Sequence, residues 1–136
     1  MEFISKVVTT STDTPAAGSD ATLTVPSGEV WEVQFINAEL VTSAAVASRF
    51  MNVVPFINSQ NLRGRYSPYA QPASTTVYYG LGDGLPNDST PFMLSLTQPF
   101  PKLFLGPGDQ LKTSVSGLQG GDQVTLIAAY VKHPSN

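Results

Sequence analysis

The stretch that most constrains the fold is residues 103–131, with the sequence LFLGPGDQLKTSVSGLQGGDQVTLIAAYV. It contains two turn signals, GPGD at 106–109 and GGD at 120–122, and each is followed by a run of β-forming residues. Such runs between Gly, Pro and Asp turns are typical of antiparallel strands joined by tight connections. A similar corner, LTVPSGEVWEV, occurs at residues 23–33. Two such corners predict a β-sandwich whose strands return across two sheets.

The rest of the chain continues this pattern. Runs rich in Val, Ile, Phe, Tyr and Thr alternate with segments rich in Gly, Pro, Asn and Asp, and no convincing helix is present. About eight strands in two sheets is the number typical of a jelly roll. We therefore predict an all-β, single-domain, jelly-roll-like antiparallel β-sandwich of about eight strands. An immunoglobulin-type sandwich also fits, although its strands are usually shorter and more even.

One predicted strand, residues 29–42, changes the phase of its apolar positions. Trp31, Val33 and Phe35 alternate with polar residues, and the apolar positions then shift by one at Ile36. Because successive side chains point to opposite faces of a strand, the shift predicts a β-bulge or a strand buried on both faces. Trp31 is expected in the core rather than at a binding surface.

Composition sets the boundaries of the domain. Residues 1–9 have the apolar positions of a strand or an extended arm, and residues 10–20 have the Thr, Ser, Pro and Gly content of a linker. We therefore divide the chain into an N-terminal strand or extended arm over residues 1–20, a sandwich domain over residues 21–132 and a tail over residues 133–136. A chain of 136 residues can bury a core without metals or disulfides.

Composition also excludes several classes of function. Charged residues make up 12% of the chain and the net charge is −3, so the basic balance typical of nucleic-acid binding is missing. The absence of cysteine excludes disulfides and thiolate metal sites. No apolar run approaches the roughly 20 residues that span a bilayer, and the N-terminus lacks a signal-peptide pattern. We expect no nucleic-acid partner and no membrane partner.

Residues suited to catalysis are scarce. His133 is the only histidine and lies near the C-terminus, so neither a Ser/His site nor a His-rich metal site is expected. Most acids lie beside Gly, Pro or Ser in predicted turns, where Asp caps its own backbone. Glu32 and Glu39 share one strand and are expected on opposite faces unless the bulge intervenes. We predict no enzyme activity, no catalytic residue, no metal site and no cofactor.

A turn-rich loop over residues 82–91 precedes a predicted strand at residues 92–97. Asp83, Asn87 and Asp88 offer oxygen ligands, but the spacing of an EF-hand loop is absent. A phosphate-binding loop would require a helix after the glycines, and a Pro-Asn-Asp turn follows instead. We interpret the segment as a plain turn.

The segment most suggestive of binding is the long loop over residues 58–73. It places two arginines and two tyrosines among Gly and Pro, and both residue types are enriched in binding hot spots. The alternative is a surface loop that packs its tyrosines onto the sandwich. The interface residues predicted in this loop and in the N-terminal arm are Phe3, Ile4, Arg63, Arg65, Tyr66 and Tyr69.

The turn and strand motifs, taken in order, resemble those of a known group of proteins. The motifs are Leu23-Thr24-Val25-Pro26-x-Gly28-x-Val30-Trp31-x-Val33, Ala73-Ser74-Thr75-Thr76, Leu105-x-Pro107-Gly108-Asp109-x-Leu111 and Gly121-Asp122-Gln123. Over about residues 20–132 the chain resembles small virion proteins of tailed bacteriophages. Among these are jelly-roll decoration, or cement, proteins that sit as trimers on the capsid exterior. The matching positions are structural turns, so the resemblance assigns no individual binding residue.

The resemblance implies a non-enzymatic role. A trimer of this kind covers local three-fold points and bridges neighbouring capsomers, so a homotrimer and the major capsid protein are the expected partners. The expected location is the capsid exterior of the virion. The same resemblance allows a tail or head–tail connector protein. The alternative from another class is a carbohydrate- or receptor-binding sandwich that uses Tyr66, Tyr69, Tyr78 or Trp31 as a stacking platform.

Overall fold

A computed structural model describes residues 7–62 and 64–135, with only the backbone at Arg65. These residues contain eleven strands and no helix. The strands in chain order are β1 Val8–Asp13, β2 Thr22–Thr24, β3 Glu29–Val41, β4 Asn52–Ile57, β5 Gln60–Asn61, β6 Arg65–Tyr66, β7 Thr76–Gly82, β8 Ser95–Pro99, β9 Leu103–Leu105, β10 Gln110–Thr113 and β11 Gln123–Pro134.

The strands form two sheets that pack face to face. The six-stranded sheet has the order β1-β11-β3-β7-β8, with β9 also paired to β3, and the five-stranded sheet has the order β2-β10-β4-β5, with β6 also paired to β4. When β6, β8 and β9 are set aside, the orders β1-β11-β3-β7 and β2-β10-β4-β5 are those of an eight-stranded jelly roll. The predicted all-β jelly-roll-like sandwich is therefore confirmed.

One edge of the six-stranded sheet departs from the antiparallel pattern. β7 and β8 run parallel, with Tyr78 opposite Ser95 and Gly82 opposite Pro99. Parallel neighbours start at the same end of a sheet, so residues 83–94 must return the chain to the start of β7 before β8 begins. The antiparallel prediction holds for the other pairs of named strands and fails at this edge.

The core lies between the sheets and is built from the inward positions of both. Trp31 is buried as predicted, and its ring stacks on that of Tyr130 with centroids 4.0 Å apart. Tyr79 is also buried, and its hydroxyl donates a 2.6 Å hydrogen bond to Oε1 of the buried Gln71. Burial raises the pKa of Tyr79 well above its ordinary value, so this hydroxyl remains a donor.

The predicted bulge is present in β3. Ala129 of β11 pairs with Phe35 and Tyr130 pairs with Val33, which leaves Gln34 as the extra residue. The bulge changes the phase of the strand, as the apolar pattern indicated. Because of this phase change, Glu32 and Glu39 both lie on the outer face of the sheet. Opposite faces were expected unless a bulge intervened, and the bulge does intervene.

The first and last strands of the described chain lie side by side in the six-stranded sheet. β1 pairs with β11 in six register positions; it begins in the segment predicted as a strand or arm and continues to Asp13, so residues 10–13, predicted as linker, belong to a strand. The Ser11 and Tyr130 hydroxyls lie 2.9 Å apart across this pair. β11 continues to Pro134, two residues beyond the boundary assigned to the sandwich. Phe3 and Ile4 lie outside the described residues.

Candidate functional site

The loop over residues 58–73 includes the short strands β5 and β6, which both pair with β4. The Tyr66 side chain is 58% exposed, whereas Tyr69 is partly buried against the core. The two tyrosines therefore have different environments, and only Tyr66 is presented mainly to solvent. Arg63 lies outside the described residues, and the side chain of Arg65 is not described.

A second exposed feature was not predicted from the sequence. Phe92, Met93 and Leu94 are 79%, 83% and 57% exposed, and we call these three residues the apolar tip. They belong to the segment predicted as a strand over residues 92–97, but the strand itself begins only at Ser95. Single exposed apolar residues are ordinary, but a run of three is unusual on a protein surface unless it has a function.

The backbone of the apolar tip forms a tight turn. The Phe92 and Ser95 backbones exchange two hydrogen bonds, of 2.8 and 3.0 Å. Met93 and Leu94 between them have φ values of 49° and 70°, as a two-residue type I′ turn requires. That turn strongly favours Asn-Gly, and a positive φ costs a residue with a side chain about 1–2 kcal/mol. Strain at exposed apolar residues indicates a functional role.

Hydrogen bonds at the base hold this turn in place. The Asp88 backbone N–H donates to the Thr97 carbonyl at 2.9 Å, and Oδ2 of Asp88 accepts from the Thr97 N–H at 2.9 Å and from its hydroxyl at 3.1 Å. The Tyr78 N–H donates to the Leu94 carbonyl at 2.9 Å. Asp88, interpreted from the sequence as a turn residue, thus secures a hairpin whose end is the apolar tip.

A buried ion pair ties together loops at the end of the sandwich where β7 and β8 begin. Arg49 and Asp122 are both fully buried, and they form two parallel hydrogen bonds, Nε to Oδ2 and Nη2 to Oδ1, each 2.9 Å long. Arg49 also donates from Nη1 to the Ala47 carbonyl at 2.7 Å. The pair links the connection between β3 and β4 to the turn before β11.

Asp122 accepts further hydrogen bonds from the backbone. The N–H of Ser43 donates to Oδ1 at 2.9 Å, and the N–H of Gln119 donates to Oδ2 at 2.8 Å. Burial by itself would raise the pKa of Asp122, but these bonds and the Arg49 guanidinium lower it to about 2. The sequence identified Asp122 as a turn residue but did not identify its partner Arg49, which lies 73 positions away.

At the end of the sandwich opposite the Arg49–Asp122 pair, His133 and Glu32 form a polar contact with fewer hydrogen bonds. His133 Nε2 lies 3.0 Å from Oε1 of Glu32, and its ring is 6.4 Å from that of the exposed Phe104. Within residues 7–62 and 64–135, no group of three or more His, Cys, Asp or Glu side chains is placed to hold a metal ion. The same residues include no helix long and apolar enough to cross a membrane.

Comparisons with protein-family models, with curated proteins and with solved structures found no match. The chain offers an apolar tip on a fixed hairpin, and an exposed Tyr66 on the other sheet.

Replacing Met93 and Leu94 together by Asn and Gly is expected to stabilise the protein. Asn-Gly suits the type I′ turn, so the free energy of unfolding should rise by about 1–2 kcal/mol as the strain is removed. Urea denaturation measures this change. Phe104→Ser, which replaces another exposed aromatic residue, is the control and should change stability by less than about 0.5 kcal/mol. A destabilised double variant would contradict the assigned turn.

The ion pair predicts a specific dependence of stability on pH. The pKa of Asp122 is lowered from 3.8 to about 2, so its stabilising contribution is complete above 3.8 and is lost as pH falls through 2. Asp122→Asn leaves the Arg49 guanidinium buried without its countercharge, which should cost about 3–5 kcal/mol near neutral pH. This deficit should shrink by about 2 kcal/mol on acidification, as measured by denaturant unfolding at several pH values. A deficit independent of pH would show that the pKa is not lowered.

Proposed function

We propose that this protein is a non-enzymatic structural component of a bacteriophage virion. In this proposal it is a homotrimeric decoration, or cement, protein that binds the capsid exterior and holds neighbouring major capsid proteins together. The observation that carries the proposal is the apolar tip, whose three consecutive apolar side chains project from a hydrogen-bonded hairpin. A tail or head–tail location would use the same contact chemistry.

The apolar tip has the chemistry of a protein contact. Burying a Phe, Met or Leu side chain in a partner is worth about 1.5–3 kcal/mol, and Met adapts its shape to irregular pockets. Because hydrogen bonds already fix the turn, little conformational entropy is lost when it binds. Such a contact is modest in one copy, but it becomes strong when a trimer engages several capsid subunits at once.

The remaining polar chemistry supports a structural role. Asp109 accepts from the N–H of Gly106 at 2.8 Å and from that of Asn58 at 3.2 Å, so it organises two connections. Asp88 and Asp122 bind backbone N–H groups in the same way. Carboxylates used in this manner stabilise turns. The jelly-roll strand order also agrees with the resemblance to phage decoration proteins.

Binding to capsids tests the proposal. Purified protein should sediment as a trimer and rebind capsids from which it has been stripped. The variant with Met93→Asn and Leu94→Gly should remain folded and gain stability but lose most of its capsid binding, because the apolar side chains are gone. Since the same substitution is expected to stabilise the fold, lost binding could not be attributed to unfolding.

Phe104→Ser is the matched control for this experiment. The tip and Phe104 lie at different heights along β3. Ser95, next to the tip, is level with Tyr78 of β7, and Tyr78 pairs with Glu39 of β3. Phe104 of β9 pairs with Glu32 of β3. These positions on β3 are about 20 Å apart along the strand. The control should therefore bind capsids normally although it removes an aromatic side chain that is 64% exposed. Full binding by the tip variant would exclude the tip as the contact, and absence of the protein from purified virions would overturn the virion role.

A further inference from the structure

A groove of about 450 Å³ crosses the outer face of the five-stranded sheet. β4 and β10 contribute Asn52, Val54 and Lys112 to its lining, and Asn61, Leu62 and Gly64 line one side. The polar residues of the lining are Asp20, Thr22, Asn52, Asn61, Lys112 and Ser114, with Thr113 behind them. The groove therefore combines amides, hydroxyls, one cation and one anion.

Gly64 is packed closely on β4. A Cβ at Gly64 would lie 2.5 Å from Oδ1 of Asn52 and 2.8 Å from Cγ2 of Val54. Only glycine allows this approach without a shift of the backbone or of its neighbours. The close packing buries Asn52 to 5% exposure although it lies on the outer face of the sheet.

Asn52 is the unusual member of the lining. Its Oδ1 is buried and has no hydrogen-bond partner in the part of the chain that the structure describes. A buried acceptor without a partner costs about 1–3 kcal/mol, and such groups are rare in native structures. Because Gly64 covers this oxygen, a ligand in the groove would contact the Asn52 side chain through its amide N–H groups.

The charged groups of the groove are held in position by their own contacts. Oδ1 of Asp20 accepts from the Thr113 hydroxyl and the Val115 N–H, both at 2.9 Å. The Lys112 ammonium lies 4.2 Å from the centre of the Phe56 ring, a cation–π contact. Among the described residues of the lining, the one anion and the one cation balance, which favours a ligand without net charge over a phosphate or a polyanion.

An aromatic side chain stands beside this polar lining. Tyr66 of β6 lies directly opposite Asn52 of β4 in the register, so their side chains share the outer face and their Cβ atoms are about 5 Å apart. The exposed Tyr66 ring can stack on the C–H face of a sugar, while the amides and hydroxyls bind the sugar hydroxyls. A phosphate, an apolar molecule or a metal ion would not need an aromatic stacking surface together with several neutral hydrogen-bonding groups.

We infer that this groove binds a neutral carbohydrate, with Asn52, Asn61 and Asp20 contacting ring hydroxyls and Tyr66 stacking on the ring. The site lies on the five-stranded sheet, away from the apolar tip, and does not depend on the proposed virion role. A decoration protein with such a site would present a glycan-binding surface as well as a capsid contact.

Nuclear magnetic resonance titration tests this inference with glucose, galactose, rhamnose, N-acetylglucosamine and their disaccharides as probes. At least one probe should shift the side-chain amide signals of Asn52 and Asn61. Asn52→Ala should weaken that binding about tenfold, the equivalent of one hydrogen bond of 1.4 kcal/mol. Tyr66→Ser, a change at an exposed position, should weaken it without affecting folding.

Gln110→Ala is the matched control. Gln110 lies on the same outer face of β10 as Lys112 but outside the groove lining, where its side chain donates to Thr24. This variant should bind the saccharide normally. The inference is overturned if none of the probes shifts the groove signals, if Asn52→Ala and Tyr66→Ser both bind as the unmodified protein does, or if the groove binds only a capsid-derived peptide.

Discussion

The buried ion pair between Arg49 and Asp122 is the contact on which one end of the sandwich depends. It joins the connection between β3 and β4 to the turn before β11, and Asp122 also fixes the backbone at Ser43 and Gln119. β11 is the neighbour of both β1 and β3, so the turn that precedes it helps to set the register of the six-stranded sheet. A buried ion pair adds little net stability, but one partner without the other is strongly destabilising. The pair therefore specifies one arrangement of these loops.

The strands β3, β7 and β8 at this end of the sandwich hold a strained and exposed hairpin. β7 starts beside the end of β3, and β8 runs parallel to β7 with its first residue level with Tyr78. The hydrogen bonds of Asp88 and Tyr78 then hold Met93 and Leu94 at positive φ. A sequence selected only for stability would place Asn-Gly in this turn. Two apolar residues at these positions are what the proposed contact with another protein would require.

The fold could be predicted because its signals are local. Gly, Pro and Asp turns and a period of two define strands within a few residues. The shift in phase at Ile36 predicted either a bulge or a strand buried on both faces, and β3 has the bulge. The apolar tip could not be predicted, because residues 92–97 have the composition of a strand and neither Met93 nor Leu94 favours a positive φ. Only the return of the chain along β8 places them in a turn.

The candidate sites depend on contacts between distant parts of the chain. Arg49 lies in an apolar stretch and shows no pattern that connects it to Asp122. The groove joins residues from β2, β4, β10 and the segment after β5, so its polar residues are scattered in the sequence. Tyr66 was predicted as an interface residue from its loop, but its position opposite Asn52 follows only from the pairing of β6 with β4.

The two proposed surfaces lie on different sheets and can be occupied at the same time. The apolar tip extends from the edge of the six-stranded sheet, and the groove proposed to bind carbohydrate lies on the outer face of the five-stranded sheet. The first is apolar and suited to a protein partner, whereas the second is polar and suited to a neutral sugar. The jelly roll thus has room for both proposed contacts.

Oxidative footprinting of methionine tests the central claim most directly. Met93 is exposed at the apolar tip, whereas Met51 is buried in the core and serves as an internal control. In the free protein Met93 should be oxidised readily to the sulfoxide and Met51 should not, because oxidation follows exposure. In purified virions the account predicts that Met93 becomes protected while Met51 stays unreactive. Equal oxidation of Met93 in the free and assembled protein would contradict the account.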